Sequence, residues 1–180
     1  FGPITDLRCA FEIRSGADST ARRVARWSAA RLAALWAPDE LAEVLRLRAS
    51  VPVNVLPEAP AVALLSGRLL LPDDALRPAL GEVLLDGQGD LVAALLRPAD
   101  ARVLLTRCGP GASLEELARS LGAEVVVAPN VRLAGRPWDL LDALPRTIVW
   151  DALAERPRLA REPAPAVAPV DPMRTVIESR

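Results

Sequence analysis

Ser113-Leu-Glu-Glu-Leu-Ala-Arg-Ser-Leu-Gly122-Ala-Glu124-Val-Val-Val-Ala128 is the stretch on which the fold class turns. Ser113 followed by Glu116 forms a capping box, in which each side chain meets an amide that the first helical turn leaves without a partner. Leu114, Leu117, Ala118 and Leu121 share one helical face, and Gly122 supplies the left-handed residue that closes a helix. Residues 124–128 read as a strand by the β-branched content of Val125, Val126 and Val127. A helix delivered straight into a strand is the repeating step of an α/β domain.

Outward from that step the pattern continues. Residues 61–66 form a short apolar run between proline and glycine, which suits a buried strand. Residues 82–86 and 90–96 flank Gly87-Gln88-Gly89 and read as a β-hairpin. Residues 18–36 read as a helix capped by Asp18 or Ser19, with Val24, Trp27, Leu32, Leu35 and Trp36 on its apolar side. Pro38 ends it and starts another, placing Asp39 and Glu40 at the positive end and Leu41, Val44 and Leu45 inward. Pro137-Trp138-Asp139 begins a last helix, which Pro145 is expected to interrupt or restart. Together these predict a mixed, mostly parallel central sheet flanked by helices. Phe1-Gly2-Pro3 is too short for the leading strand of such a sheet, so that strand is expected to be missing. Residues 1–155 form the domain, 156–172 a proline-rich extended linker, and 173–180 the start of something else.

Composition bounds the chemistry. The 180 residues are 51% hydrophobic with a net charge of −1, which supplies a core and gives no general drive toward nucleic acid or anionic membrane. Every cation is Arg, and His is absent, which excludes imidazole catalysis and imidazole metal ligands. Cys9 and Cys108 form no CxxC pair and have no histidine base to activate them. No signal-like opening and no spanning apolar run are present, and a cytoplasmic domain is expected.

Several residues admit a phosphate-binding reading. Arg8 and Arg14 lie in a non-helical stretch, Gly16 permits close backbone approach, and Ser19 and Thr20 open a helix whose N-terminus attracts anions. Arg8 and Arg14 equally suit surface ion pairs with Asp6 and Glu12. Gly67-Arg68 sits at a predicted strand end, where α/β proteins place ligands, or makes an ordinary turn. Asp73 and Asp74 suit Mg²⁺ by donor type and a helix cap near Ala75 by position. Asp139 suits the first turn of its helix, with Trp138 packing. Gly109-Pro110-Gly111 lacks the lysine of a phosphate loop.

An ordered set of motifs carries a family resemblance. Phe1-Gly-Pro-Ile-Thr5-Asp-Leu-Arg8-Cys-Ala-Phe-Glu12-Ile-Arg14-Ser-Gly16, then Thr20 and Arg22-Arg23, resembles the opening of GlmU-type sugar nucleotidyltransferases. Leu64-Leu-Ser-Gly67-Arg68, Arg136-Pro137-Trp138-Asp139 and Arg174-Thr-Val-Ile177 follow in the family's order. The family's proline after Arg8 is Cys9 here, its asparagine near Ala143-Leu144-Pro145 is replaced, its strand-end Gly-Asp is Gly67-Arg68, and the G-x-G-T-R-M loop is absent. The resemblance implies a Rossmann-like nucleotidyltransferase fold that converts a nucleoside triphosphate and a sugar 1-phosphate to a nucleotide sugar and pyrophosphate. It further implies Arg8 and Arg14 as catalytic residues, and Thr5, Gly16, Thr20, Gly67 and Arg68 as substrate-binding residues. Mg²⁺ is implied as cofactor, with Asp73, Asp74 and Asp139 as candidate ligands, and so is a C-terminal β-helix acyltransferase partner domain, trimeric in the full-length protein. A domain that binds a sugar nucleotide without catalysis, or only scaffolds the β-helix, is the alternative.

Overall fold

A computed structural model describes residues 8–28, 30–73, 76–107 and 113–159. A 3₁₀ turn (Ala10–Glu12) precedes α1 (Thr20–Ser28), α2 (Asp39–Arg46), β1 (Val62–Leu65), β2 (Glu82–Leu85) and β3 (Leu91–Leu96). Then come α3 (Pro98–Arg107), α4 (Leu114–Ser120), β4 (Glu124–Val127) and α5 (Pro137–Leu159). Thr5, Asp74, Cys108, the 109–111 loop and residues 160–180 lie outside the described residues.

The domain is mixed α/β, as expected. Its four strands lie in the order β1-β3-β2-β4. The expectation of a mostly parallel sheet needs correction, because β1–β3 and β2–β3 pair antiparallel and only β2–β4 is parallel. Those pairings nevertheless give β1, β2 and β4 one common direction, with β3 alone reversed. Their carboxyl ends therefore emerge at one edge, which is the feature that positions the site.

Both faces of the sheet are covered. Val62, Leu64, Val83, Leu85, Ala94 and Leu96 pack against Ala101 and Leu104 of α3 and Leu114 and Ala118 of α4. Leu84, Val92 and Ala93 pack on the other face with Val24 of α1, Leu69 and Leu76. Val92 and Ala93 reach the same cluster although they are consecutive, because the β2–β3 register shifts between Leu84 and Leu85. Each fully buried leucine of this kind contributes about 1.5–3 kcal/mol.

Local chemistry explains the elements. Ser113 accepts a hydrogen bond from the Glu116 amide at 3.2 Å, as the capping box predicts. The predicted helix over 18–36 is shorter: α1 ends at Ser28. Beyond it the chain is extended, and the Leu35 amide donates to the Pro52 carbonyl at 2.9 Å while the Asn54 amide donates to Leu35 at 2.9 Å. That pairing outweighs the helical preference of an alanine-rich segment. Pro145 does not interrupt α5, which is continuous for 23 residues and extends into the first residues read as linker. The proline removes one amide from the ladder, and the Thr147 hydroxyl bonds the Leu144 carbonyl at 3.0 Å beside it. The helix α3 was not predicted, although Pro98 at its first position, Asp100 in its first turn and Arg107 in its last are ordinary end signals.

Candidate functional site

Gly16 and the start of α1, read from the sequence as a place for phosphate, are closed around the protein's own carboxylate. Gly16 has φ +128°, a left-handed conformation that directs the following amides inward. The Ala17 and Asp18 amides donate to Asp151 Oδ2 at 3.0 and 3.2 Å. Arg23 grips the same carboxylate bidentately, Nε to Oδ1 at 3.0 Å and Nη2 to Oδ2 at 2.8 Å. Its remaining donors reach Ser15 Oγ, the Ser15, Asp18 and Leu70 carbonyls. Both side chains are fully buried. Arg26 adds ion pairs to Asp18 and Glu155. A Cβ at Gly16 would stand 2.7 Å from Asp151 Oδ2, so the glycine is required for this contact.

The other candidates fall into separate places. Arg8 and Arg14 are exposed. Neither forms an ion pair among the described residues; Glu12 pairs instead with Arg48 at 3.0 Å. Thr20 is buried at the start of α1. Gly67 backs onto Phe11, whose Cδ1 a Cβ would approach to 2.8 Å. That contact does join the 67–68 turn to the N-terminal segment, as does Ile13 packing with Leu70, Ala134 and Leu140. The side chains of Arg8 and Arg14, however, do not line the cleft that Arg68 lines.

That cleft, about 1470 Å³ and broadly open, lies at the carboxyl edge of β1, β2 and β4. Arg68 follows β1, Asp86 follows β2, and Arg132 follows β4, with Arg136 and Asp139 from the start of α5 opposite. Arg68 Nη2 lies 2.5 Å from Asp90 Oδ2, both partly exposed. Asp86 is buried, and its Oδ1 accepts from the Gln88 and Asp90 amides at 2.8 and 2.9 Å, which fixes the hairpin turn. The Arg136 guanidinium stacks 5.6 Å from the Trp138 ring centroid. Asp139 Oδ2 accepts from the Gly135 and Arg136 amides at 2.8 and 2.7 Å, as its place in the first turn suggests.

Among the described residues no three carboxylates or thiols converge on one point. Asp139 and Asp90 are committed to the contacts above. Mg²⁺ carried by a polyphosphate needs only one or two carboxylates, the rest of its shell being phosphate and water. Asp73 lines the same cleft, and Asp86, whose turn engages only Oδ1, fits that requirement.

Asp86, Arg132, Arg23 and Asp151 were not singled out from the sequence as site residues. Asp86 carried a usable signal, an acid at the mouth of a predicted hairpin. Asp151 carried none, because its partner lies 128 residues away. Compared with known protein families, curated proteins and solved structures, the chain matches none.

Proposed function

We propose that the cleft receives a nucleotide sugar, and that the domain is a Rossmann-like sugar-1-phosphate nucleotidyltransferase. The observation that carries this reading is the meeting of Arg68, Arg132 and Arg136 with the Asp86 strand end at the carboxyl edge of three co-directional strands. Ligands of open α/β sheets bind at that edge. Planar guanidinium groups bind diphosphate bidentately, and every cationic side chain here is arginine.

In the reaction a sugar-1-phosphate oxygen attacks the α-phosphorus of a nucleoside triphosphate. The new P–O bond forms as the bond to the bridging oxygen breaks, and pyrophosphate leaves. The protein's share is to position two polyanions and offset their charge. Arg68, exchanging Asp90 for phosphate, and Arg136, held over Trp138, perform that role. Asp86 would hold Mg²⁺ in the cleft, and the ion would supply further charge neutralisation.

One observation favours a second reading, a domain that binds nucleotide sugar without transfer. The α1 entrance and Gly16, expected to hold phosphate, hold Asp151 instead. Two measurements separate the readings: calorimetric titration of uridine, guanosine and thymidine diphosphate sugars, and pyrophosphate release from the matching triphosphates and sugar 1-phosphates with Mg²⁺. Binding with pyrophosphate release supports transfer; binding without it supports the second reading. Absence of both sinks the cleft assignment.

A further inference from the structure

The wall that α5 gives to the cleft has an order along it. Asp142, Arg146 and Trp150 follow one another at four-residue intervals and all line the cleft. They therefore share one row of the helix, each about 6 Å further along its axis than the last. The row passes from carboxylate to guanidinium to indole. Val149 and Leu153 flank its far end, line the cleft as well, and are 59% and 61% exposed. Toward the start of α5 the neighbours are instead charged, Arg136 and Asp139 standing there with Asp142.

We propose that the ligand lies along this row in one direction, with its sugar at Asp142, its diphosphate at Arg146 and its base against Trp150, Val149 and Leu153. The assignment rests on the nucleotide-sugar reading of the cleft, and adds to it the ligand's orientation and the residues that hold the base. An extended nucleotide sugar presents those three parts in that order. The reverse direction is unfavourable, because sugar hydroxyls set against Val149 and Leu153 would lose water and gain no partner. A base has apolar faces that stack on an indole, and covering two exposed aliphatic side chains adds apolar burial. Arg146, one turn before Trp150, then joins Arg68, Arg132 and Arg136 on phosphate. Asp142 accepts hydrogen bonds from the sugar hydroxyls.

The test is calorimetric titration of the 180-residue chain with the common nucleoside diphosphates and, separately, with inorganic pyrophosphate, thermal melts being recorded alongside. A nucleoside diphosphate is expected to bind more tightly than pyrophosphate. Trp150→Ala weakens its binding roughly fivefold to a hundredfold, the contribution of one stacked base, and leaves pyrophosphate within about twofold. Trp150→Phe keeps most of the affinity, because a phenyl ring still stacks. Val149→Asn, at a side chain too exposed to matter for folding, also weakens the nucleoside diphosphate alone. It decides the matter if Trp150→Ala lowers the melting temperature. Equal effects on both ligands, or none on either, overturn the orientation, while pyrophosphate binding that is lost in Arg68→Ala leaves the cleft reading standing. Binding of neither ligand removes the cleft reading and this inference with it.

Discussion

Asp151 on α5 and Arg23 on α1 meet as a two-pronged ion pair, with Nη2 to Oδ2 at 2.8 Å and both side chains fully shielded from water. Two backbone amides complete the shell of the carboxylate. Among the described residues, Leu140 and Ala143 also pack with Leu70 and Ala134, and Arg26 reaches Glu155. The pair therefore fastens the helix that supplies one wall of the cleft.

Removing one partner should destabilise the domain strongly, because it strands the other charge in the interior. Asp151→Ala and Arg23→Ala are each expected to lower unfolding free energy by about 3–5 kcal/mol. The double variant should lose less than the sum of the two, since neither charge is then left alone. Urea unfolding of the four proteins measures the coupling, and simple additivity would show that the pair is not a unit.

Gly16→Ala should act through the same cradle. The substitution places a methyl group in a left-handed backbone and within 2.7 Å of Asp151 Oδ2. A loss of about 2–4 kcal/mol is expected, from strain and from displacement of the carboxylate. A drop of that size in urea unfolding, absent from Gly87→Ala where no atom lies closer than 3.9 Å, is the discriminating result.

Cys9 offers a pH dependence that is easy to isolate. Burial first, then the nearby Glu12 carboxylate, raise its thiol from 9.0 to about 11, while Arg48 opposes them. A raised folded pKa means that the neutral thiol is favoured by folding. Its contribution is complete below pH 9 and is lost as pH rises toward 11, by about 1–3 kcal/mol. Because the chain has no lysine and no tyrosine, only cysteines titrate among its side chains in that window. Unfolding curves from pH 8 to 11 should fall for the natural chain and stay flatter for Cys9→Ala; parallel curves would refute the shift.

Binding at the cleft should depend on Arg68 and not on Arg14. A charge-assisted phosphate contact contributes about 1.5–3 kcal/mol, so Arg68→Ala should weaken nucleotide-sugar binding roughly tenfold to a hundredfold. Its exposed pair with Asp90 contributes at most about 1 kcal/mol to stability, so the melt should scarcely move. Arg14→Ala, outside the cleft, should leave both unchanged. Calorimetry with the ligand identified for the natural chain decides; equal losses at both positions would move the site back toward the N-terminal segment.

The elements that were legible in the sequence are those whose signals are local. The Ser113 cap, the strand at 124–127, the hairpin around Gly87-Gln88-Gly89 and the strand ending before Gly67 are all written within a few residues of themselves. The reversal of β3 against β2 was legible through the hairpin, but the pairing of β1 with β3 and of β4 with β2 was not, because those partners lie far apart in the chain. Helix ends were misread where a distant backbone partner decided them, as Pro52 does for Leu35. At the site, Arg68 and Asp139 could be placed from strand and helix ends. Arg14 and Gly16 looked like ligand-binding residues because a loop that binds an internal carboxylate uses the same glycine, amides and arginine as one that binds phosphate.

The reach of the Asp151 contact also orders events during synthesis. Arg23 leaves the ribosome 128 residues before the acid that neutralises it. At about 5–20 residues per second, roughly 6–26 seconds pass in which α1 carries a guanidinium that cannot be buried alone. The contact that encloses Arg23 can therefore form only after α5 emerges. Substitutions at Asp151 should for that reason reduce soluble yield in the cell beyond what equilibrium stability alone accounts for.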